Sequence, residues 1–133
     1  MEVKLYLLKT NWYVVVLSLL SLILASPCLG AISGAIEQKD DQNAIIRVKI
    51  TPPAPTTVII TLDLPEGVKI EEAKPQYSRL LDKERKAQWL LTGIKPGKLD
   101  ILIRFNKKVD VKKLKALFRY KDVSSGKIVE ATN

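Results

Sequence analysis

The sequence predicts an all-β fold: an antiparallel β-sandwich of about seven strands behind an N-terminal hydrophobic helix, read as a signal peptide or membrane anchor. Three observations lead there. Beyond residue 30, runs of β-branched and aromatic residues alternate with polar ones at a period of two. Those runs recur at regular spacing, separated by Pro, Gly, Asn and Asp clusters that make turns. Before residue 30 lies one uncharged apolar stretch unlike anything after it.

That first stretch opens with Lys4 and Lys9 against Glu2 and continues as WYVVVLSLLSLIL over residues 12–24. No charge appears between Lys9 and Glu37, and the small residues Ala25, Ser26, Gly30 and Ala31 follow. A basic start, an apolar centre and a small-residue end form the pattern of a secretory signal. Cleavage after Gly30, with Cys28 at −3, and cleavage after Cys28, with Ser26 at −3, both satisfy it. An uncleaved anchor is the rival, since the uncharged run can span roughly 30 Å of hydrocarbon, with the lysines on the inner side. Lipidation of Cys28 is the third reading, although Ala25 and Pro27 stand where a lipoprotein signal wants Leu and a small residue. All three place the rest of the chain outside the cytoplasm, whether secreted, periplasmic or on the cell surface.

Residues 31–43 (AISGAIEQKDDQN) turn small and polar and read as a tether, so the sandwich domain is expected over 44–133. Residues 44–50 alternate around Arg47 and Lys49 as a first strand. Pro52, Pro53 and Pro55 then impose a stiff extended connection. Residues 56–64 give the clearest strand, with Val58, Ile60, Leu62 and Leu64 on one face. Thr57, Ile59, Thr61 and Asp63 take the other, and Ile59 is the exception on that polar side. Pro65 lacks an N–H and ends the ladder, Gly67 supplies the turn, and Val68 and Ile70 resume the alternation.

Pro75 and the charged run 82–86 mark loops, with a short strand expected around residues 76–80. Residues 87–92 form a strand around Trp89, read as a core residue, and Gly93 ends it. After Pro96-Gly97, Leu99, Ile101, Ile103 and Phe105 share one face. Residues 111–120 fit both a strand and a helix face. The strand is favoured, because 122–126 then makes a hairpin loop into 127–131; a helical turn leading into a strand is the other arrangement.

Charge is uneven. Residues 31–94 balance, whereas 95–133 carry eleven basic and four acidic residues. A basic face of that kind attracts an anionic partner, although a lysine-rich surface also keeps sheet edges soluble. The chain has no histidine, and Cys28 is its single cysteine. That excludes intrachain disulfides, zinc sites built on His and Cys, and nucleophilic chemistry that needs a histidine base. Among carboxylates, Glu71 and Glu72 are adjacent and on a strand would point to opposite faces. Asp40, Asp41 and Asp122 lack the spacing of a calcium loop. No catalytic residue, metal site or cofactor is expected.

One further pattern is carried by Leu64-Pro65-Glu66-Gly67-Val68 after a Thr/Val/Ile strand, and by Ile94-Lys95-Pro96-Gly97 leading into Leu99-Asp100-Ile101-Leu102-Ile103. It resembles the immunoglobulin-like modules of bacterial and archaeal surface proteins, including those appended to secreted glycosidases and, more distantly, cohesins. The resemblance covers roughly residues 45–131. The Cys…Trp…Cys pattern of true immunoglobulin domains and a tyrosine corner are absent. The resemblance implies spacing, adhesion or partner binding, and carries no catalytic residues.

The expected role is therefore a non-catalytic interaction or structural module at the cell envelope, binding an envelope protein or an anionic polymer. Membrane anchoring through residues 12–30 and homo-oligomers are compatible with it. One alternative is a subunit of a surface filament or layer, in which an edge strand or the 31–43 segment pairs with a neighbour. The other is a polyanion-binding ridge of Lys107, Lys108, Lys113, Lys115, Arg119 and Lys121, where Lys113, Lys115, Arg119 and Lys121 would share an outward strand face. Aromatic residues are too sparse there for nucleic-acid recognition.

Overall fold

Two antiparallel sheets account for most of residues 31–133, the part of the chain that the computed structural model describes. The strands are β1 (Ile32–Gln38), β2 (Asn43–Ile50), β3 (Thr57–Asp63), β4 (Ile70–Lys74), β5 (Arg79–Leu81), β6 (Lys86–Thr92), β7 (Gly97–Phe105), β8 (Lys115–Lys121) and β9 (Ile128–Thr132). One sheet runs β1-β2-β7-β4 and the other β5-β6-β3-β8-β9. The expected β-sandwich is present. The expected N-terminal helix falls on residues 1–30, outside the described part.

The period of two explains the core. Val58, Ile60 and Leu62 of β3, Ile101, Ile103 and Phe105 of β7, and Ala116, Phe118 and Tyr120 of β8 are all buried. Each strand turns its alternate residues into the space between sheets, as stacked antiparallel sheets require. Trp89 is fully buried, donates from Nε1 to the Pro75 carbonyl at 2.8 Å, and meets Tyr77 edge-on with centroids 6.3 Å apart. Among the described residues no polar or charged side chain is buried.

Three expectations are corrected. The segment 31–43 is no tether: it supplies β1 and the turn into β2, paired from Ile32 opposite Ile50 to Gln38 opposite Ala44. Its inward residues are Ile32, Gly34 and Ile36, and a glycine at the middle one hid the alternation. The reason lies in β8, since the Phe118 ring occupies the space that a Cβ on Gly34 would need. The β-domain therefore begins at residue 32.

Second, residues 111–120 are the combined arrangement: the favoured strand holds from Lys115 onward, and Val111–Lys113 depart from it. Val111–Lys113 form a 3-10 turn that the Asp110 side chain opens by accepting from the Lys112 N–H at 3.0 Å, and β8 follows. Third, Glu71 and Glu72 do not diverge. The β4–β7 register shifts between Ile70 and Glu72, and Arg104 meets Glu71 at 3.5 Å and Glu72 at 3.2 Å. A bulge re-aims side chains in this way. The short strand expected around 76–80 is β5, and a 3-10 turn at Asp82–Glu84 takes up part of the charged run.

Candidate functional site

The ridge of cations expected from the sequence is divided by the fold. Lys115, Arg119 and Lys121 do lie on one outward face of β8, with Leu117 between them. Lys113 belongs to the 3-10 turn before the strand, and Lys107 and Lys108 follow β7. Two members are already paired within the chain. Arg119 donates to Glu130 Oε1 from Nε at 2.8 Å and from Nη2 at 2.6 Å, while Lys108 meets Asp41 at 3.2 Å. The Lys107 ammonium leans over the Gly67 turn. The six residues therefore do not form one continuous strip of unpaired charge.

The strand-addition alternative loses one of its donors, because residues 32–38 are consumed by pairing with β2 inside the chain. Four strands lie at sheet edges: β5 has three residues and β4 carries the bulge, which discourages further pairing. The outer sides of β1, with seven residues, and β9, with five, are regular and open to strand addition.

The two sheets turn different residues outward. On the four-stranded sheet, Arg47 bridges Glu37 at 3.2 Å and Asp100 at 3.9 Å, and Arg104 holds Glu71 and Glu72. These pairs are half-exposed, so each contributes at most about 1 kcal/mol. The same face carries the apolar pair Ile45 and Leu102, opposite each other on β2 and β7, and the facing lysines Lys49 and Lys98, which have no ion-pair partner among the described residues.

The five-stranded sheet turns outward Ile59, Leu90 and Leu117. Register places Ile59 of β3 opposite Leu90 of β6, and Thr61 between Gln88 and Leu117. Gln88 Nε2 donates to Thr61 Oγ1 at 3.3 Å, which satisfies the polar groups in the middle of the patch. Leu90 is 54 % exposed. Lys86, Lys115, Arg119 and Lys121 surround the patch, against Asp63 and Glu130. Position 59 was the exception in the sequence pattern, and that was the visible signal. Leu90 became part of it only once β6 was registered against β3.

A cleft of about 440 Å³ opens beside the β4 and β5 edges, lined by Leu64, Val68, Ile70, Leu80, Leu81 and Arg85 among others. Asp82 is its single carboxylate. No group of three or more acidic, Cys or His residues converges to hold a metal among the described residues. The carboxylates with displaced acidities serve turns. Hydrogen bonds from the Gln42 backbone and the Asn43 side chain hold Asp40 below its ordinary range, and those from Ser125 and Ser124 do the same for Asp122. Compared with protein-family models, curated proteins and solved structures, the chain matches none of them.

Proposed function

We propose that the chain is a non-catalytic, immunoglobulin-like β-sandwich module that works outside the cytoplasm at the cell envelope. It binds a partner protein through the outer face of its five-stranded sheet. The observation that carries this reading is the grouping of Ile59, Leu90 and Leu117 on neighbouring strands of one face, with Leu90 exposed and the other two half-buried. A large apolar side chain left in water forgoes about 1.5–3 kcal/mol of burial. Grouped across three neighbouring strands, such residues mark contact surfaces more often than isolated ones do. The surrounding lysines and arginine outnumber the two acids, so the partner that fits has an apolar centre and an acidic rim.

The address comes from the sequence: a basic start, an apolar run at 12–24 and small residues before Ala31. The lack of histidine and of any cysteine beyond Cys28 supports the non-catalytic part. Extraction of the envelope in mild detergent tests the contact. The native chain should migrate as a complex, Leu90→Lys should release it as a lone chain, and Leu102→Lys on the opposite face should leave the complex intact. Identical migration of all three would contradict the reading.

A further inference from the structure

The end of the sandwich where the described chain starts has a charge pattern of its own. The Ala31 carbonyl accepts from Thr51 N at 2.9 Å and the Ile32 N–H donates to Tyr120 Oη at 3.4 Å. The strand is therefore fixed from its first residue, and residues 1–30 join the fold here. Register determines what shares this end: Ile32 lies opposite Ile50, Ile50 opposite Gly97, and Lys121 opposite Ile128. Loops 51–56, 93–96 and 122–127 are thereby gathered at one pole.

Those loops, with the two residues flanking each, contain Lys49, Lys95, Lys98, Lys121 and Lys127 against Asp122 alone. None of the five lysines is ion-paired among the described residues. Lys49 and Lys98 stand directly opposite each other on neighbouring strands, a like-charge pair that costs stability unless an anion sits nearby. The Asp122 carboxylate is engaged by the Ser124 and Ser125 hydroxyls at 2.8–3.1 Å. Two large apolar side chains are exposed at the same pole, Val123 at 55 % and Ile128 at 64 %. The opposite pole is mixed, with Asp40, Asp41, Glu66, Asp82, Glu84 and Asp110 among its lysines.

We infer that this pole rests on an anionic lipid bilayer, with the apolar run of residues 12–24 immersed beyond it. The inference rests on the envelope reading above, with residues 12–24 retained as the uncleaved anchor, and adds an orientation to it. Seven residues separate the run from β1, and at full extension they reach about 25 Å. That reach sets an upper limit on the distance of the pole from the hydrocarbon; with the pole seated on the headgroups, each lysine contributes about 1 kcal/mol of attraction that fades within a Debye length. Val123 and Ile128 meet the interface from the same side. The partner-binding face of the five-stranded sheet is then presented along the membrane instead of away from it.

The test is amine labelling of the full chain reconstituted in phosphatidylcholine vesicles with and without phosphatidylglycerol, read by mass spectrometry. Labelling of Lys95, Lys98, Lys121 and Lys127 should fall several-fold only where phosphatidylglycerol is present, and recover in high salt. Lys107 and Lys112 at the far pole should label equally in both. Equal labelling of the near-pole lysines in the two lipids would overturn the inference. Protection by a soluble anionic wall polymer, with none from vesicles, would also overturn it and assign the pole to that polymer. A chain lost from the vesicles in alkaline wash would remove the membrane attachment itself; a retained chain with unprotected lysines would remove only the orientation.

Discussion

The ring of Phe118 lies against the Cα of Gly34, so the middle of the first strand tolerates no side chain at all. A Cβ placed on Gly34 would come within 2.8 Å of the ring carbon Cε1 and closer still to Cζ and Cε2. Phe118 is fully buried and its ring has nowhere to retreat. Overpacking of this kind costs about 1–3 kcal/mol. Gly34→Ala should therefore lower Tm by roughly 5–20 °C for a domain of this size. Gly34→Ala combined with Phe118→Leu should recover part of that loss, which thermal melts monitored by circular dichroism will show.

The same contact makes β1 an integral strand. A chain beginning at residue 44 loses the whole β1–β2 ladder and uncovers Ile46, Val48 and Phe118. It should unfold at markedly lower denaturant than a chain beginning at residue 31. Equal midpoints would mean that residues 31–43 are dispensable, as a tether would be.

Trp89 is held by one hydrogen bond across the core entrance, from its indole N–H to the Pro75 carbonyl. Trp89→Phe keeps most of the apolar bulk but leaves that carbonyl without its donor and opens a small void. A loss of about 1–3 kcal/mol is expected, measured by urea unfolding. Tyr77→Leu should cost less, because it removes only the edge-on ring contact.

Acid should loosen turns before it melts the sandwich. Asp122 and Asp40 have folded-state acidities held below the ordinary carboxylate value by turn hydrogen bonds. A depressed folded pKa stabilises the fold above the unfolded value of about 3.9 and loses that contribution as pH falls through the folded one. Protection of the 122–127 amides, relative to their intrinsic exchange at each pH, should therefore fall below pH about 4, while Asp122→Asn should flatten that dependence. An unchanged acid response in the variant would assign the effect to other groups.

The strands that could be read directly were those whose two faces differ in water exposure. Val58, Ile60 and Leu62 against Thr57, Thr61 and Asp63 needed no partner to be recognised, nor did Ile101, Ile103 and Phe105. β1 could not be read this way, because the identity of Gly34 depends on a ring eighty-four residues away in sequence, brought there by the stacking of sheets. The candidate surface was half visible for the same reason. Lys115, Arg119 and Lys121 follow from alternation alone, whereas the Glu130 that neutralises Arg119 is set by the β8–β9 register. Glu71 and Glu72 share Arg104 only because a bulge interrupts strict alternation, and local sequence carries no mark of it.

Photo-crosslinking in the intact envelope addresses the proposed working surface most directly. A photoreactive residue replacing Leu90 should give one discrete adduct with a partner protein, diminished when Ile59→Lys is added. The same residue replacing Leu102, which is 39 % exposed on the opposite sheet, should give none. Adducts from Leu102 alone, or equal adducts from both positions, would place the contact elsewhere and contradict the account.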